Sequence, residues 1–404
     1  VKNYPGQKIR LGFYHHIPIT VKGNQLFIIG HMGRFLDGLA SECSHLVLFM
    51  NEATESDNTA DYCLRNTNIT WINMGSRKSA PHYTLFGGKY RQIIKDHLSQ
   101  IDAMLIRGPT PLLPPLAKIN RLIPTALLIG GDYLAGMPSS RQPFLRKSLV
   151  WLWSWIYNFQ QLQVAKKCLT MVNSHKLYSE MKPYLTDLVE TQTTTLSDKD
   201  SVWREDTCQG ERIRLLYTGR MDHAKGILDM LDALYELVEI GENVELHLVG
   251  MEEKGDTVLQ ELQKKATHLS LSERVIFHGY KPVGPELFSF YKNSDIYLLA
   301  SQSSFEGFPR TIWEALAHSL PVIATKVGSI PDFLTNNRNA LLVDPNSSHQ
   351  LAQAILRLIH DGELRRKIIR NGFEVPKNNT IEKRSLEQVS YIVEYIQQKK
   401  HQHR

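Results

Sequence analysis

Cysteine is scarce in this 404-residue chain, and the four present, Cys43, Cys63, Cys168 and Cys208, are scattered without a C-x-x-C pair. That pattern argues against a disulfide framework and a thiolate zinc site, and favours a reducing compartment. No apolar N-terminal stretch has the form of a signal peptide, so a cytoplasmic protein is expected. The segment nearest to a membrane signal, 149–159, is apolar and aromatic and follows Arg141, Arg146 and Lys147. It is too short to span a bilayer, which takes about 20 apolar residues. Two readings of it stand: an interfacial helix on the inner face of a membrane, or a buried helix capping a sheet. Excess charge is also small, with 47 Lys and Arg against 41 Asp and Glu, a net of +6. Such a balance suits an anionic ligand or an anionic membrane surface, and it is too weak to call for nucleic acid. Internal repeats and low-complexity tracts are missing as well, so each half must build its own core.

What is present is a chain that is 42% hydrophobic and 22% charged, long enough for two or three domains. Short continuous apolar runs alternate with longer amphipathic ones. The first half offers strands near 9–14, 46–50, 69–73, 103–107, 126–129 and 169–173, with helices near 25–43 and 83–99. The second half offers strands near 213–218, 244–249, 275–279, 296–300, 322–325 and 340–343, separated by helical stretches. Continuous apolar strands belong in parallel sheets covered on both faces. The expected fold is α/β, with two doubly wound Rossmann-like halves and a ligand at the carboxyl ends of their strands. Residues 1–190 form the first domain, 191–211 a polar linker, 212–380 the second domain, and 381–404 a final helix and tail.

The most informative stretch runs from Ser303 to Leu316, Ser-Ser-Phe-Glu-Gly-Phe-Pro-Arg-Thr-Ile-Trp-Glu-Ala-Leu. It sets Glu306 in a turn and Glu314 eight residues on, inside a helix. A strand–turn–helix with little side-chain bulk in its turn offers backbone N–H groups to an anion. A carboxylate in the helix can accept two hydroxyl hydrogen bonds. Phosphate and a polyhydroxylated sugar are the ligand parts that fit. A second stretch, Leu216 to Gly226, ends a strand at Gly219 and places Arg220 and Lys225 five residues apart before a helix. A guanidinium fork and a mobile ammonium can together neutralise a diphosphate.

These two stretches, with Glu-Gly-Phe-Pro and Trp-Glu-Ala-Leu-Ala in one and Gly-Arg-x-x-x-x-Lys-Gly in the other, resemble the nucleotide-sugar site of the family 4 glycosyltransferases. The resemblance implies the GT-B fold, in which two domains face each other across a cleft and the last helix crosses back to the first domain. It implies a retaining, metal-independent transferase moving a hexose from a nucleoside diphosphate sugar, with UDP-glucose the commonest donor, to a hydroxyl acceptor. The acceptor is expected to be a glycan or a lipid-linked oligosaccharide, in polysaccharide or cell-envelope synthesis. Arg220, Lys225 and Glu306 would act on the reacting groups. Gly219, Tyr280, Gly307, Phe308, Pro309, Arg310, Thr311 and Glu314 would complete the donor site. In that scheme Glu314 takes the ribose hydroxyls, Glu306 the transferred sugar, and Tyr280 the base. Pro309 stands at the first helical position, where its missing N–H costs nothing.

The acceptor half is read from fewer residues. His15, His16 and Gly23 follow the first strand, and Gly23 stands where many members carry a longer Gly-Gly signature. Asp132 stands where the family often has a histidine, and it serves either the sugar hydroxyls or a helix N-cap. No cofactor and no metal are expected. Asp198-Lys199-Asp200 has the form of an Asp-x-Asp metal clamp but lies in the polar linker rather than at a strand end. Two other readings of the site are a sugar-nucleotide 2-epimerase on the same fold and a catalytically silent carbohydrate-binding scaffold.

Overall fold

A computed structural model describes residues 8–54, 60–131, 144–252, 257–303 and 307–402. Residues up to Thr193 join those from Ile381 onward in one unit, and Thr194–Thr380 form the other.

The first unit contains β1 (Arg10–Tyr14), β2 (Thr20–Lys22), β3 (Gln25–Ile28), α1 (Gly30–Glu42), β4 (His45–Glu52), β5 (Tyr62–Cys63), β6 (Ile69–Ser76) and α2 (Ala80–Asp96). It continues through β7 (Ala103–Gly108), α3 (Leu113–Leu116), β8 (Thr125–Ile129), α4 (Phe144–Ala165), β9 (Leu169–Val172), α5 (His175–Met181) and β10 (Leu188–Glu190). Seven strands form a parallel sheet in the order β10-β9-β8-β7-β1-β4-β6. Alternation along the strands builds two cores. Leu46, Leu48 and Met50 of β4 enter one, and Val47 and Phe49 enter the other. A strand buried on both faces has no polar side to show, which is why these runs read as continuously apolar.

The second unit contains β11 (Ile213–Thr218), α6 (Ile227–Glu239), β12 (Val244–Val249), α7 (Val258–His268), β13 (Val275–Gly279), α8 (Pro285–Lys292) and β14 (Ile296–Leu299). It closes with α9 (Arg310–Ala317), β15 (Val322–Thr325), α10 (Ile330–Phe333), β16 (Leu341–Val343), α11 (Ser348–His360) and α12 (Gly362–Glu374). Its six strands are parallel in the order β13-β12-β11-β14-β15-β16. In the first unit's sheet the strand order reverses at β1/β7, and in this one at β11/β14. The chain then returns to the first unit as α13 (Ile381–Gln402), whose Val389, Ile392, Val393, Tyr395 and Ile396 enter the core that holds Leu46 and Leu48.

Two expectations change. Residues 25–28 are not helical. They pair antiparallel with 20–22 and 62–63 in a small separate sheet. The loop Gly23-Asn24 closes the first of these pairs, and Gly23 adopts φ +61° there, so the glycine answers to a hairpin turn. Of the polar stretch 191–211, residues from Thr194 onward group with the second unit. The Val202 N–H donates to Ala317 O at 2.8 Å, and the Arg204 guanidinium spans the carbonyls of Tyr291, Lys292, Ser294 and His318. Their polar composition reflects these bonds to buried carbonyls. Finally, 149–159 is not a buried cap, because the outer side of α4 is exposed.

Candidate functional site

In the second unit, three glycines end three neighbouring strands. Gly219 closes β11, Gly250 closes β12 and Gly279 closes β13, with φ of +148°, +152° and +67°. Their backbones are in contact: Gly219 N–H donates to Val249 O at 3.0 Å, and Gly250 N–H to Gly279 O at 2.9 Å. A Cβ on Gly250 would lie 1.7 Å from Gly219 O. The carboxyl edge of the sheet is therefore stripped of side chains where the nucleotide was expected. Gly250 was missed in the sequence because no motif marked it, although a glycine directly after an apolar strand was the available signal.

Arg220 follows Gly219. Its carbonyl accepts the Tyr217 hydroxyl at 2.5 Å, and its exposed guanidinium pairs with Asp222 at 3.3 Å. Lys225 ends a single turn, His223–Lys225, that Gly226 closes at φ +64°. This loop is bound to the one after β14. Ala224 O accepts from Gln302 N–H at 2.7 Å and from the Ser301 hydroxyl at 3.2 Å. Gly226 packs so tightly that a Cβ would stand 2.0 Å from Ala300 O. The Gln302 amide also reaches Asp229 at 2.9 Å. The cationic loop and the segment leading to α9 thus form one junction at the ends of adjacent strands β11 and β14.

Past that junction, Gly307 has open space where a Cβ would be. The Phe308 ring turns inward against Trp313 and Phe333, with centroids 4.2 and 4.6 Å away. Pro309 is the N-cap, with φ −67° and ψ 131°, and α9 begins at Arg310. Pro309 therefore stands one residue before the first helical position; its extended ψ keeps it outside the helix. It supplies no side-chain cap, so the first turn of α9 presents its dipole to whatever lies in front of it. Arg310 is half-buried. Burial draws its pKa down, while the charges of Glu314 and Tyr280 hold it up. Thr311 bonds the Tyr297 hydroxyl, and Tyr280 is 37% exposed just past Gly279.

Glu314 departs from expectation. It is only 2% exposed, and both oxygens already accept hydroxyl hydrogen bonds from the protein. Oε2 takes the Tyr291 hydroxyl at 2.7 Å, and Oε1 takes the Thr195 hydroxyl. The Tyr291 oxygen in turn meets Thr218 Oγ1 at 2.6 Å. A buried carboxylate needs such donors, and they tie α9, α8 and the end of β11 together. Burial and Glu314 push the Tyr291 phenol well above its ordinary range. Glu306 and Asp132 lie outside the described residues.

In the first unit, His15 and His16 follow β1, their rings 4.2 Å apart. Register pairs Tyr14 with Ile106 across β1 and β7, so the next residue on each strand sets His15 beside Arg107. Ile17 N–H donates to His15 Nδ1 at 3.2 Å. Burial lowers the pKa of both imidazoles, that of His16 to about 4. The charges acting on His15 next after burial are His16, Arg107, His31 and Arg77, all basic. Arg77, Arg107 and His31 were not singled out in the sequence, because they are far apart along the chain and meet only at the strand ends. Gly23 lies at the hairpin tip and is exposed. Among the described residues no acid/His/Cys group has the form of a metal site. Asp200 accepts Ser197 N–H at 2.7 Å in a capping box.

The sequence profile of the family described as Glycosyl transferases group 1 matches residues 201–375. Mannosylfructose-phosphate synthase of Agrobacterium fabrum is 28% identical over 162 residues, 39% of this chain and 35% of that protein. The capsular polysaccharide biosynthesis glycosyltransferase CapM of Staphylococcus aureus is 29% identical over 160 residues, 39% of each chain. Such matches span well under half the length of these relatives. The structure of HepE from Anabaena in complex with UDP superposes with a TM-score of 0.68 at 17% identity, over 96% of this chain and all of that one. That likeness establishes the GT-B type of fold.

Proposed function

We propose, from the match of residues 201–375 to the Glycosyl transferases group 1 profile, that this protein moves a hexose from a nucleoside diphosphate sugar to a hydroxyl acceptor. The observation that carries this reading is the junction of the two loops through Ala224, Ser301 and Gln302, which sets the Arg220–Lys225 loop beside the segment entering α9. The bare glycine edge ending at Tyr280 suits a nucleoside, and UDP-glucose is the expected donor; HepE was solved with UDP, and with UDP and glucose.

In the transfer, the acceptor oxygen bonds to the anomeric carbon as the bond from that carbon to the diphosphate breaks. The acceptor proton passes to the leaving phosphate oxygen, and the anomeric configuration is retained. Negative charge grows on the diphosphate, where Arg220, Lys225 and the α9 N-terminus stabilise it without a metal. Arg310, one turn before Glu314, adds a further cation. Glu314, with about four acceptor sites on its carboxylate, is assigned to the ribose hydroxyls. Glu306 is assigned to the transferred sugar. Arg77 and Arg107, beside the neutral imidazoles of His15 and His16, suit an acceptor bearing negative charge, such as a phosphate-linked glycan or lipid-linked oligosaccharide in polysaccharide synthesis. A lipid-linked acceptor would bring the protein to an anionic membrane.

Calorimetry with a panel of sugar nucleotides, followed by release of nucleoside diphosphate with and without EDTA, tests the reading. Donor binding and undiminished turnover in the chelator are expected. Loss of turnover with EDTA and rescue by manganese would overturn the metal-free step. Acceptor-free conversion to an isomeric sugar nucleotide would replace transfer with epimerisation.

A further inference from the structure

Helix α4 buries Tyr157 and Ala165 on its inward side and still leaves a second apolar side uncovered. Its outward side carries Leu149, Trp151, Leu152, Trp155, Ile156 and Phe159, each between 38% and 69% exposed. Its inward side buries Ser154 and Gln161, at 5% and 6% exposure. The six apolar residues recur at the spacing of one helix face, so a strip of aromatic and branched surface faces solvent along about three turns. The neighbouring helix α2 touches the inward side of α4 and carries exposed apolar residues of its own. The Thr84 hydroxyl on α2 bonds the Tyr157 hydroxyl on α4. The next two residues along α2, Leu85 and Phe86, are 78% and 53% exposed. Water-facing apolar surface on this scale marks an interaction site.

Charge identifies the occupant. From residue 141 to 182 the sequence holds Arg141, Arg146, Lys147, Lys166, Lys167, Lys176 and Lys182 against a single acid, Glu180. Helix α4 contains no Asp or Glu. Exposed Lys166 and Lys167 follow its last turn. A second copy of this chain would press these basic borders against one another, which like charge opposes. Among the described residues no helix is long and apolar enough to cross a membrane.

We propose that the exposed face of α4 docks on an anionic phospholipid surface, its Trp and Phe side chains entering the interface and the lysines at its end resting on the headgroups. This gives the membrane contact a location and is independent of the transfer reaction. The test uses the full chain without donor or acceptor. It is sedimented with vesicles of phosphatidylcholine containing phosphatidylglycerol, and with phosphatidylcholine alone. Binding to the anionic vesicles, with a blue shift of tryptophan emission, is expected.

Trp151→Ser/Trp155→Ser/Phe159→Ser should weaken partitioning at least about tenfold. Lys166→Glu/Lys167→Glu should do so by about tenfold or more through charge alone, with circular dichroism confirming the fold of each. No sedimentation with anionic vesicles, equal binding to both compositions, or wild-type binding by both variants would overturn the proposal. Lipid-independent self-association that the triple variant abolishes would reassign the face to a second copy.

Discussion

Arg220 and Lys225 are held differently, and the difference bears on what each can do. Arg220 is exposed, and its guanidinium meets Asp222 across 3.3 Å, a surface pair whose exchange for a diphosphate costs little. Lys225 is fixed by the turn that Gly226 closes against Ala300. Either Arg220→Ala or Lys225→Ala should lower turnover by about two decades, as expected for a lost charge-stabilising donor. Release of nucleoside diphosphate at saturating acceptor measures it, and wild-type rates in both variants would refute the clamp. Glu314 gives a second expectation. Thr195→Val removes a hydroxyl donor from the buried Glu314 carboxylate, at a cost of about 1–3 kcal/mol. Denaturant unfolding should register that loss, and Thr195→Ser should restore stability. The residue type and spacing of Glu314 were legible in the sequence. Its enclosure was not, since the Thr195 hydroxyl comes from 119 residues away.

Helices α9 and α4 illustrate what an element's pattern does and does not reveal. Helix α9 buries nearly all its length, and His318 just past its end has Nδ1–H bonded to Glu314 O at 2.7 Å. Burial holds the His318 pKa down at about 4, below the ordinary 6.5. As pH falls the unfolded chain takes up this proton first. The stability tied to the neutral ring is therefore complete above about 6.5 and is lost progressively toward about 4. A urea midpoint followed from pH 7 to pH 4 should fall, and His318→Phe should flatten that fall by on the order of 2–3 kcal/mol. An identical slope in the variant would mean that the imidazole titrates alike in the folded and unfolded chain. The apolar run in α4 was legible, but its direction was not, because burial and exposure of one stripe have the same sequence pattern. The β2–β3 hairpin was hidden by a similar ambiguity. Its four-residue strand abuts α1, and only the pairing with residues 62–63 separates the two.

At the scale of the whole molecule, α13 closes the core of the first unit although the entire second unit precedes it in sequence. A chain ending at residue 380 should lose the first unit, since β1, β4 and α1 would expose the apolar surface that Val389, Ile392 and Ile396 cover. Residues 194–380 alone should remain folded, because their core is their own. Heteronuclear spectra of the two fragments would check this, and a well-dispersed first unit without α13 would contradict it. By itself the sequence determined the parallel α/β class, the cationic loop and the Gly-Phe-Pro entry to a helix, because each is written in residues that neighbour one another along the chain. Tertiary structure alone decided that Ala224 meets Ser301 and Gln302, that Glu314 is enclosed, that Arg77 and Arg107 gather at His15, and that the tryptophans of α4 face outward. Those outcomes depend on which strand ends become adjacent and which helix side finds a partner, and local sequence carries no record of either.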